Sequence, residues 1–454
     1  MQDNMQDAVR NTIKNYNDHM KLGKAEIRYL MQSSRERGFF HLLSANVLIH
    51  VFAFASQLFV AGILAPDDVG RIKIIQTYLS IFSVLAGMGF NSSILKICSE
   101  GRSQQENSLY FNAALFFTLI STAIVYAGIL LVNAMGLLSK DIMLKAIIPL
   151  GLFPVVTHSL FMLIIFYFQA KKEIKVFSSL TVWNKLLSIV AIIIFTWFLG
   201  IRGYYYAFNL SYILMLVAAF MLIKKTVKFD FKGPFRKPIK EHWKYARSAV
   251  FGNLVSEASA YVDILLLGFL IKDMNEIGYY SFALTMTIAL RIFPATVQQI
   301  TVPYFSSFKS RRDEFLQIFK RYNRLLYIIV IGSLLVFVVL APPLLDWVFK
   351  GKYESSIPYL MVLSVGWSIR NLNQLQSGAI FGLGKIHYNA LVALSALIAN
   401  VIMVPVLVHF FGVMGAAYAS VTGGVVIWAS SRYYFRKAVR KADWDEVQEV
   451  KGSK

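Results

Sequence analysis

The chain has 454 residues, of which 57% are apolar and only 16% charged, with a mean hydropathy of +0.56. A soluble domain carries about 25% charged residues, so a soluble globular fold is excluded. The net charge of +21 would suggest nucleic acid in a soluble protein, but here it sits in loops between apolar segments.

The first 38 residues are polar and basic, with no apolar core of the kind a cleaved signal peptide has. AVRNTIKNYNDHMKLGKAEIRYLMQ fits an amphipathic helix on a membrane surface as well as it fits a solvated tail. Twelve apolar stretches follow, each long enough to cross a bilayer, at 39–64, 74–97, 109–134, 142–169, 177–199, 203–223, 246–271, 278–303, 325–349, 357–383, 387–411 and 414–435. The expected fold is an all-α integral membrane protein with twelve transmembrane helices.

Pro149, Pro154, Pro294 and Pro405 lie inside spans and should kink them. The longest polar break, KKTVKFDFKGPFRKPIKEH, follows the sixth span. It divides the chain into an N-terminal tail (1–38), an N-lobe (39–223), a basic linker (224–245), a C-lobe (246–435) and a C-terminal tail (436–454). The halves read as repeats. LFVAGILAPDDVGRIKIIQTYLS parallels ILLLGFLIKDMNEIGYYSFA, and Gly200 and Gly203 match Gly412 and Gly415 at one offset. Six helices return the chain to the side where it began, so both halves insert in the same orientation. Such parallel repeats place a substrate site at their interface.

Loops on one side, together with both tails, hold 35 Lys and Arg, whereas those on the other hold eight, Arg71 and Lys73 among them. The positive-inside rule puts both termini in the cytoplasm, and anionic membrane lipids become the expected partner of the excess charge, with no nucleic acid. Three cations remain. Lys185, Arg291 and Arg370 lie near the middle of spans, where a cation costs roughly 2.5–3.5 kcal/mol on insertion scales. A chain retains such charges where they face a wet cavity, a counter-ion or an anionic cargo. Helical spacing sets Ser178, Thr181 and Ser188 beside Lys185, Thr287 and Gln298 beside Arg291, and Asn373, Gln374 and Ser377 beside Arg370.

The chain resembles the Wzx-type polysaccharide-unit (O-antigen and capsule) flippases of the multidrug/oligosaccharidyl-lipid/polysaccharide exporter superfamily. Three blocks carry the resemblance. They are NVLIHVFAFASQLFVAGILAPDDVGRIKIIQTYLSIFSVLAGMGFNSSILK, VDILLLGFLIKDMNEIGYYSFALTM and GLGKIHYNALVALSALIANVIMVPVLVHFFGVMGAAYASVTG. The resemblance covers about residues 39–435. It implies two pseudo-symmetric six-helix lobes in a V, working by alternating access around a cationic cavity in a bacterial inner membrane. The cargo it implies is an undecaprenyl-pyrophosphate-linked oligosaccharide, with other polysaccharide-assembly membrane proteins as partners. Twelve spans, against the fourteen typical of lipid II flippases, argue against that branch.

On that reading Arg291, Arg370 and Lys185, with Asn373 and Gln374, bind the pyrophosphate and glycan. Arg forks onto phosphate and Lys supplies a point charge. The competing reading pairs the cations with acids, of which only Glu257 and Asp263 are placed mid-membrane. Lys96, at the end of the second span, reads as a cytoplasmic-side anchor or as a first contact for cargo. Glu257, Asp263 and His50 are candidates for coupling to H+ or Na+, and structural hydrogen bonding is the bland alternative. By the repeat, His50 occupies the first-span position that Glu257 occupies in the seventh.

The seven histidines are scattered, with no HExxH motif, and no P-loop is present, so no metal site, cofactor or ATPase chemistry is expected. A polysaccharide polymerase or ligase would need a large extracytoplasmic loop, and the longest such loops are about ten residues. A multidrug cation antiporter of the same superfamily is the nearer alternative, and a lumen with excess positive charge opposes it.

Overall fold

The computed structural model describes residues 52–307, 312–442 and 444. The N-terminal tail, His50 and the first half of the first span lie outside the described residues, as does the end of the C-terminal tail. The described residues carry no strand. The helices are α1 (Phe52–Ile63), α2 (Pro66–Gly87), α3 (Phe90–Ile97), α4 (Gln104–Ala134), α5 (Ile142–Leu152), α6 (Pro154–Ala170) and α7 (Ile174–Ile223). After the linker come α8 (Arg236–Leu270), α9 (Met274–Met286), α10 (Ala289–Ser307), α11 (Arg312–Phe349), α12 (Ile357–Asn371), α13 (Gln374–Gly382), α14 (His387–Phe411) and α15 (Val413–Arg440).

These helices map onto the twelve spans with instructive differences. Among the described residues nine helical stretches are long and apolar enough to cross a membrane. The count merges the fifth and sixth spans into α7. A helix of 50 residues would be about 75 Å long, more than twice the hydrocarbon thickness, so it must serve as two. Gly200 divides it with φ 59° and ψ −143°, a conformation L side chains avoid. Gly412, between α14 and α15, has φ 58° and ψ −145°. The turn is thus repeated almost to the degree at the position the sequence repeat pairs with it. The tenth span falls short of the length test because it is split into α12 and α13.

The breaks recur as well. The second span breaks at Met88 and Gly89 and its counterpart, the eighth, breaks between Met286 and Ala289. The fourth breaks at Phe153, where Pro154 opens a new helix, and the tenth breaks at Leu372 and Asn373. Pro149, by contrast, sits inside a continuous α5 and Pro405 inside α14. Proline marks one of the four breaks, and the repeat fixes the others.

Among the described residues each half has apolar clusters of its own. One gathers Phe90, Phe111, Phe161, Ile164 and Tyr167 and draws in Val227, Ile239 and Tyr245 from the linker and the start of α8. The other gathers Phe305, Phe315, Leu326, Leu375 and Ile380. The all-α fold is thus two pseudo-symmetric six-helix lobes, each with its own apolar interior, and the polar residues between them are free to serve function.

The lobes touch at both ends. At the end away from the basic loops, α2 crosses α9 so closely that a Cβ on Gly278 would lie 1.9 Å from the Pro66 carbonyl oxygen. Beside this crossing the Lys352 ammonium donates to the carbonyl oxygens of Ala61 and Gly62 at 3.0 and 2.9 Å, and the Tyr353 hydroxyl donates to Ala61 at 2.9 Å. These are the open carbonyls at the end of α1, where a cation is favoured. At the basic end, His242 of α8 is fully buried. Its Nε2 donates to the Tyr110 carbonyl at 3.1 Å, which leaves Nδ1 to accept from the Ser93 hydroxyl at 2.8 Å. Neighbouring Glu241 accepts from Arg102 and from the Tyr110 hydroxyl.

Candidate functional site

Between these two contacts lies a cavity of about 240 Å³. Its walls come from α2, α3, α4, α6, α7 and α8. Ser80, Ser83, Asn91, His158, Asn253 and Glu257 give it a polar lining. Ligand pockets run from about 300 to 1,000 Å³, so the space suits waters and ions but not a glycan.

Glu257 lies within hydrogen-bonding reach of Ser80 and in the field of Arg291. One and a half turns further along α8, Asp263 is buried and accepts a hydrogen bond of 2.5 Å from the Tyr280 hydroxyl of α9. Arg370 and Lys73 both act on Asp263 electrostatically. Tyr261 is the node of the group, within electrostatic reach of Glu257, Arg291, Arg370 and Asp263. The Lys73 ammonium lies 5.7 Å from its ring centroid. The Arg370 guanidinium stacks 5.0 Å from the Trp367 ring and reaches the Ser259 carbonyl at 3.4 Å. Among the described residues, none of Lys185, Arg291 and Arg370 has a carboxylate oxygen within ion-pairing distance.

The structure thus brings Arg291, Arg370, Glu257 and Asp263 together and leaves Lys185 on another wall. Lys185 is exposed on α7, and its charge is felt by His158 across the cavity lining. Asn373 and Gln374 sit at the α12–α13 break, where helical hydrogen bonding is interrupted, and the Asn373 Oδ1 is buried with no partner. Lys96 is exposed and forms an ion pair of 3.2 Å with Glu100, which also pairs with Arg102 at 3.1 Å. Hydrogen bonds from Arg102, then from Lys96, hold the Glu100 carboxyl below its usual range. Lys96 therefore belongs to a network at the basic end of α3.

One residue escapes a reading of the sequence alone. Lys73 counts there as a loop charge, because the apolar run begins at residue 74. The structure starts α2 at Pro66 and turns Lys73 inward onto Tyr261. The signal was present in the acidic turn before it, since Pro66 with Asp67 and Asp68 is a helix start. His158, four residues after Pro154, also lines the cavity, and its Nδ1 is buried without a partner. With Lys73 included, three cations, Lys73, Arg291 and Arg370, face two carboxyl groups in the deep part of the lobe interface.

The family model for polysaccharide biosynthesis proteins matches residues 36–309. The chain belongs to this family. An uncharacterised membrane protein of Methanocaldococcus jannaschii, MJ1068, is 20% identical over 426 residues, covering 87% of this chain and 83% of that protein. The lipid II flippase MurJ, in an inward closed conformation, superposes with a TM-score of 0.71 at 15% identity, covering 87% of this chain and 90% of MurJ. A multidrug resistance MATE family transporter of the MOP superfamily, inward-facing, gives 0.68 at 14% identity, with 87% and 96% covered. At these identities the likeness establishes the fold, that of the V-shaped two-lobe exporters. This member of the polysaccharide biosynthesis family is accordingly a multi-pass membrane protein with that fold.

Proposed function

We propose that the protein is a flippase that carries a polyprenyl-pyrophosphate-linked oligosaccharide, in a bacterium the undecaprenyl form, across the inner membrane for surface polysaccharide assembly. The reading is carried by the excess of deep cations over acids at the lobe interface. Arg291 and Arg370, joined by Lys73, bind the pyrophosphate, with Lys185 on the facing wall and Asn373 and Gln374 contacting the glycan. The lipid tail stays in the bilayer while the headgroup passes between the N-lobe and the C-lobe. Glu257 and Asp263 accept H+ or Na+ when the phosphate takes their cations, which couples ion movement to alternating access. Both termini lie in the cytoplasm, Lys96 serves the first encounter with cargo, and no bond of the cargo is made or broken.

The MATE likeness supports a multidrug cation antiporter as the second reading, and the charge of the interface opposes it. In a host whose surface glycan depends on this protein, Arg291→Ala and Arg370→Ala should each abolish display while leaving the protein in the membrane. Each guanidinium–phosphate contact contributes about 1.5–3 kcal/mol, so tenfold or greater losses of flipping are expected in proteoliposomes given lipid-linked oligosaccharide. Normal display by both variants would sink the assignment. Transport of organic cations without transport of the lipid-linked sugar would favour the antiporter.

A further inference from the structure

A second concavity, outside the lobe interface, has no place in the transport cycle just described. It is a groove of about 880 Å³ between the first turns of α4 and the first three turns of α8. Its α8 wall carries Arg236, Lys237, Lys240, Lys244 and Arg247, all exposed, with Trp243 among them at 46% exposure. The opposite face of the same turns, Pro238, His242 and Ala246, is buried against the first lobe. The helix is therefore held in place by its apolar face, and its basic face points outward by construction.

Those cations stand where a helix does not favour them. Arg236, Lys240 and Lys244 follow one another at i, i+4, a spacing at which like charges repel. They also crowd the N-terminal turns, where the helix dipole favours anions, and no acidic residue occupies the first turn. The two carboxylates of the groove are already engaged. Glu106 closes a capping box with Ser103, and Glu241 accepts from Arg102 and Tyr110. Among the described residues, none of the five cations has a carboxylate oxygen within ion-pairing distance. An external anion would relieve both repulsions.

The flanks say what carries that anion. Trp243 stands exposed among the charges, and beside it Phe116 of α4 packs on Phe231 and Phe235 with ring centroids 6.5 and 5.8 Å apart, so aromatic side chains flank the groove. Aromatic residues of this kind sit at the headgroup level of a bilayer, and the groove lies at the bundle end that bears the basic loops. We infer that the Arg236–Arg247 face of α8 is a docking site for the phosphate of an anionic glycerophospholipid, distinct from the cargo site, with its acyl chains running along the aromatic flank. Bound lipid would hold the start of α8, and with it the His242 and Glu241 contacts, against the membrane surface.

The full chain in vesicles tests this. Tryptophan quenching by brominated phosphatidylglycerol and by brominated phosphatidylcholine is compared, and the Trp243 share is taken as the difference from Trp243→Phe. The expected result is stronger quenching of that share by phosphatidylglycerol, weakening with salt as the Debye length shortens. Lys240→Gln with Lys244→Gln should lower apparent affinity on the order of thirty-fold, at about 1 kcal/mol per Lys near an anionic surface. Both side chains are exposed, and Lys240→Arg with Lys244→Arg should restore binding if the double variant elutes poorly. Equal quenching by the two lipids, or no change in the double variant, would overturn the inference. Displacement of the brominated lipid by stoichiometric polyprenyl pyrophosphate would also overturn it, by returning the groove to the cargo path.

Discussion

Gly278→Leu should hold the two lobes apart at the end away from the basic loops and stop transport. The contact it breaks is backbone against backbone. A Cβ at Gly278 meets the Pro66 carbonyl oxygen at 1.9 Å, and one at Gly70 meets the Gly278 nitrogen and the Met274 oxygen at 2.9 Å. No rotamer relieves such an approach, so α2 and α9 must separate by at least about 1.5 Å for alanine, as van der Waals contact begins near 3.4 Å. Leucine needs more. Local overpacking costs about 1–3 kcal/mol, enough to move a two-state equilibrium by roughly five- to 150-fold toward the open arrangement. Each lobe keeps its own core, so the protein should still fold. Spin labels at Ala65→Cys and Glu354→Cys, with Cys98, the only native cysteine, replaced by alanine, would report the separation. A lengthened distance with lost flipping is expected. An unchanged distance with normal flipping would show that this crossing does not gate the interface.

That pair of glycines also shows what the sequence makes legible. Gly70 and Gly278 are matched by the repeat, as are Gly200 and Gly412, because the same turn and the same crossing recur in each half. Apolar length was enough to find the spans, since a bilayer demands it. The breaks were not legible from proline alone. Pro149 and Pro405 stay within helices, whereas Leu372 and Asn373 interrupt one with no proline nearby. A helix yields where packing against a neighbouring helix supplies other partners, as where the Asn371 amide donates to the Leu290 carbonyl at 3.1 Å, and that information is not local.

The site was half legible for the same reason. Arg291, Arg370, Glu257 and Asp263 announce themselves as charges in apolar helices, and they do gather around Tyr261. Their grouping across α8, α9, α10 and α12 depends on how distant helices cross. Lys73 was hidden because hydropathy marks where a span begins by composition, while the helix itself begins two turns earlier at Pro66.

The same early start makes Arg71 the most exacting charge in the chain. It is 8% exposed and satisfies three carboxylates at once. Its Nη1 donates to Asp67 at 2.6 Å and Asp68 at 2.9 Å, while Nε and Nη2 fork onto Asp141 at 3.1 and 3.2 Å. Asp141 in turn caps α5 through the Leu144 amide. One guanidinium thereby ties the start of the second span to the start of the fourth. Arg71→Ala should destabilise the protein by about 3 kcal/mol, the low end of the cost of breaking a buried pair, because it leaves three half-buried acids without a counter-charge. Arg71→Lys should recover only part of this, since an ammonium cannot fork onto Asp141 while holding the other two. Thermal unfolding in detergent and abundance in the membrane would measure both. Restoring stability to Arg71→Met by Asp67→Asn and Asp141→Asn would identify uncompensated charge as the cause, and failure to restore it would point to lost packing instead. The repeat supplies an internal control. In the second half the matching position is Tyr279, and half-buried Glu276, the counterpart of Asp68, accepts from the Tyr359 hydroxyl. A single hydrogen bond is worth far less than four charges gathered around a buried guanidinium, so Glu276→Gln should shift unfolding little. The asymmetry confines the rigid ionic clamp to the first lobe and leaves the second held at this turn by a neutral hydroxyl.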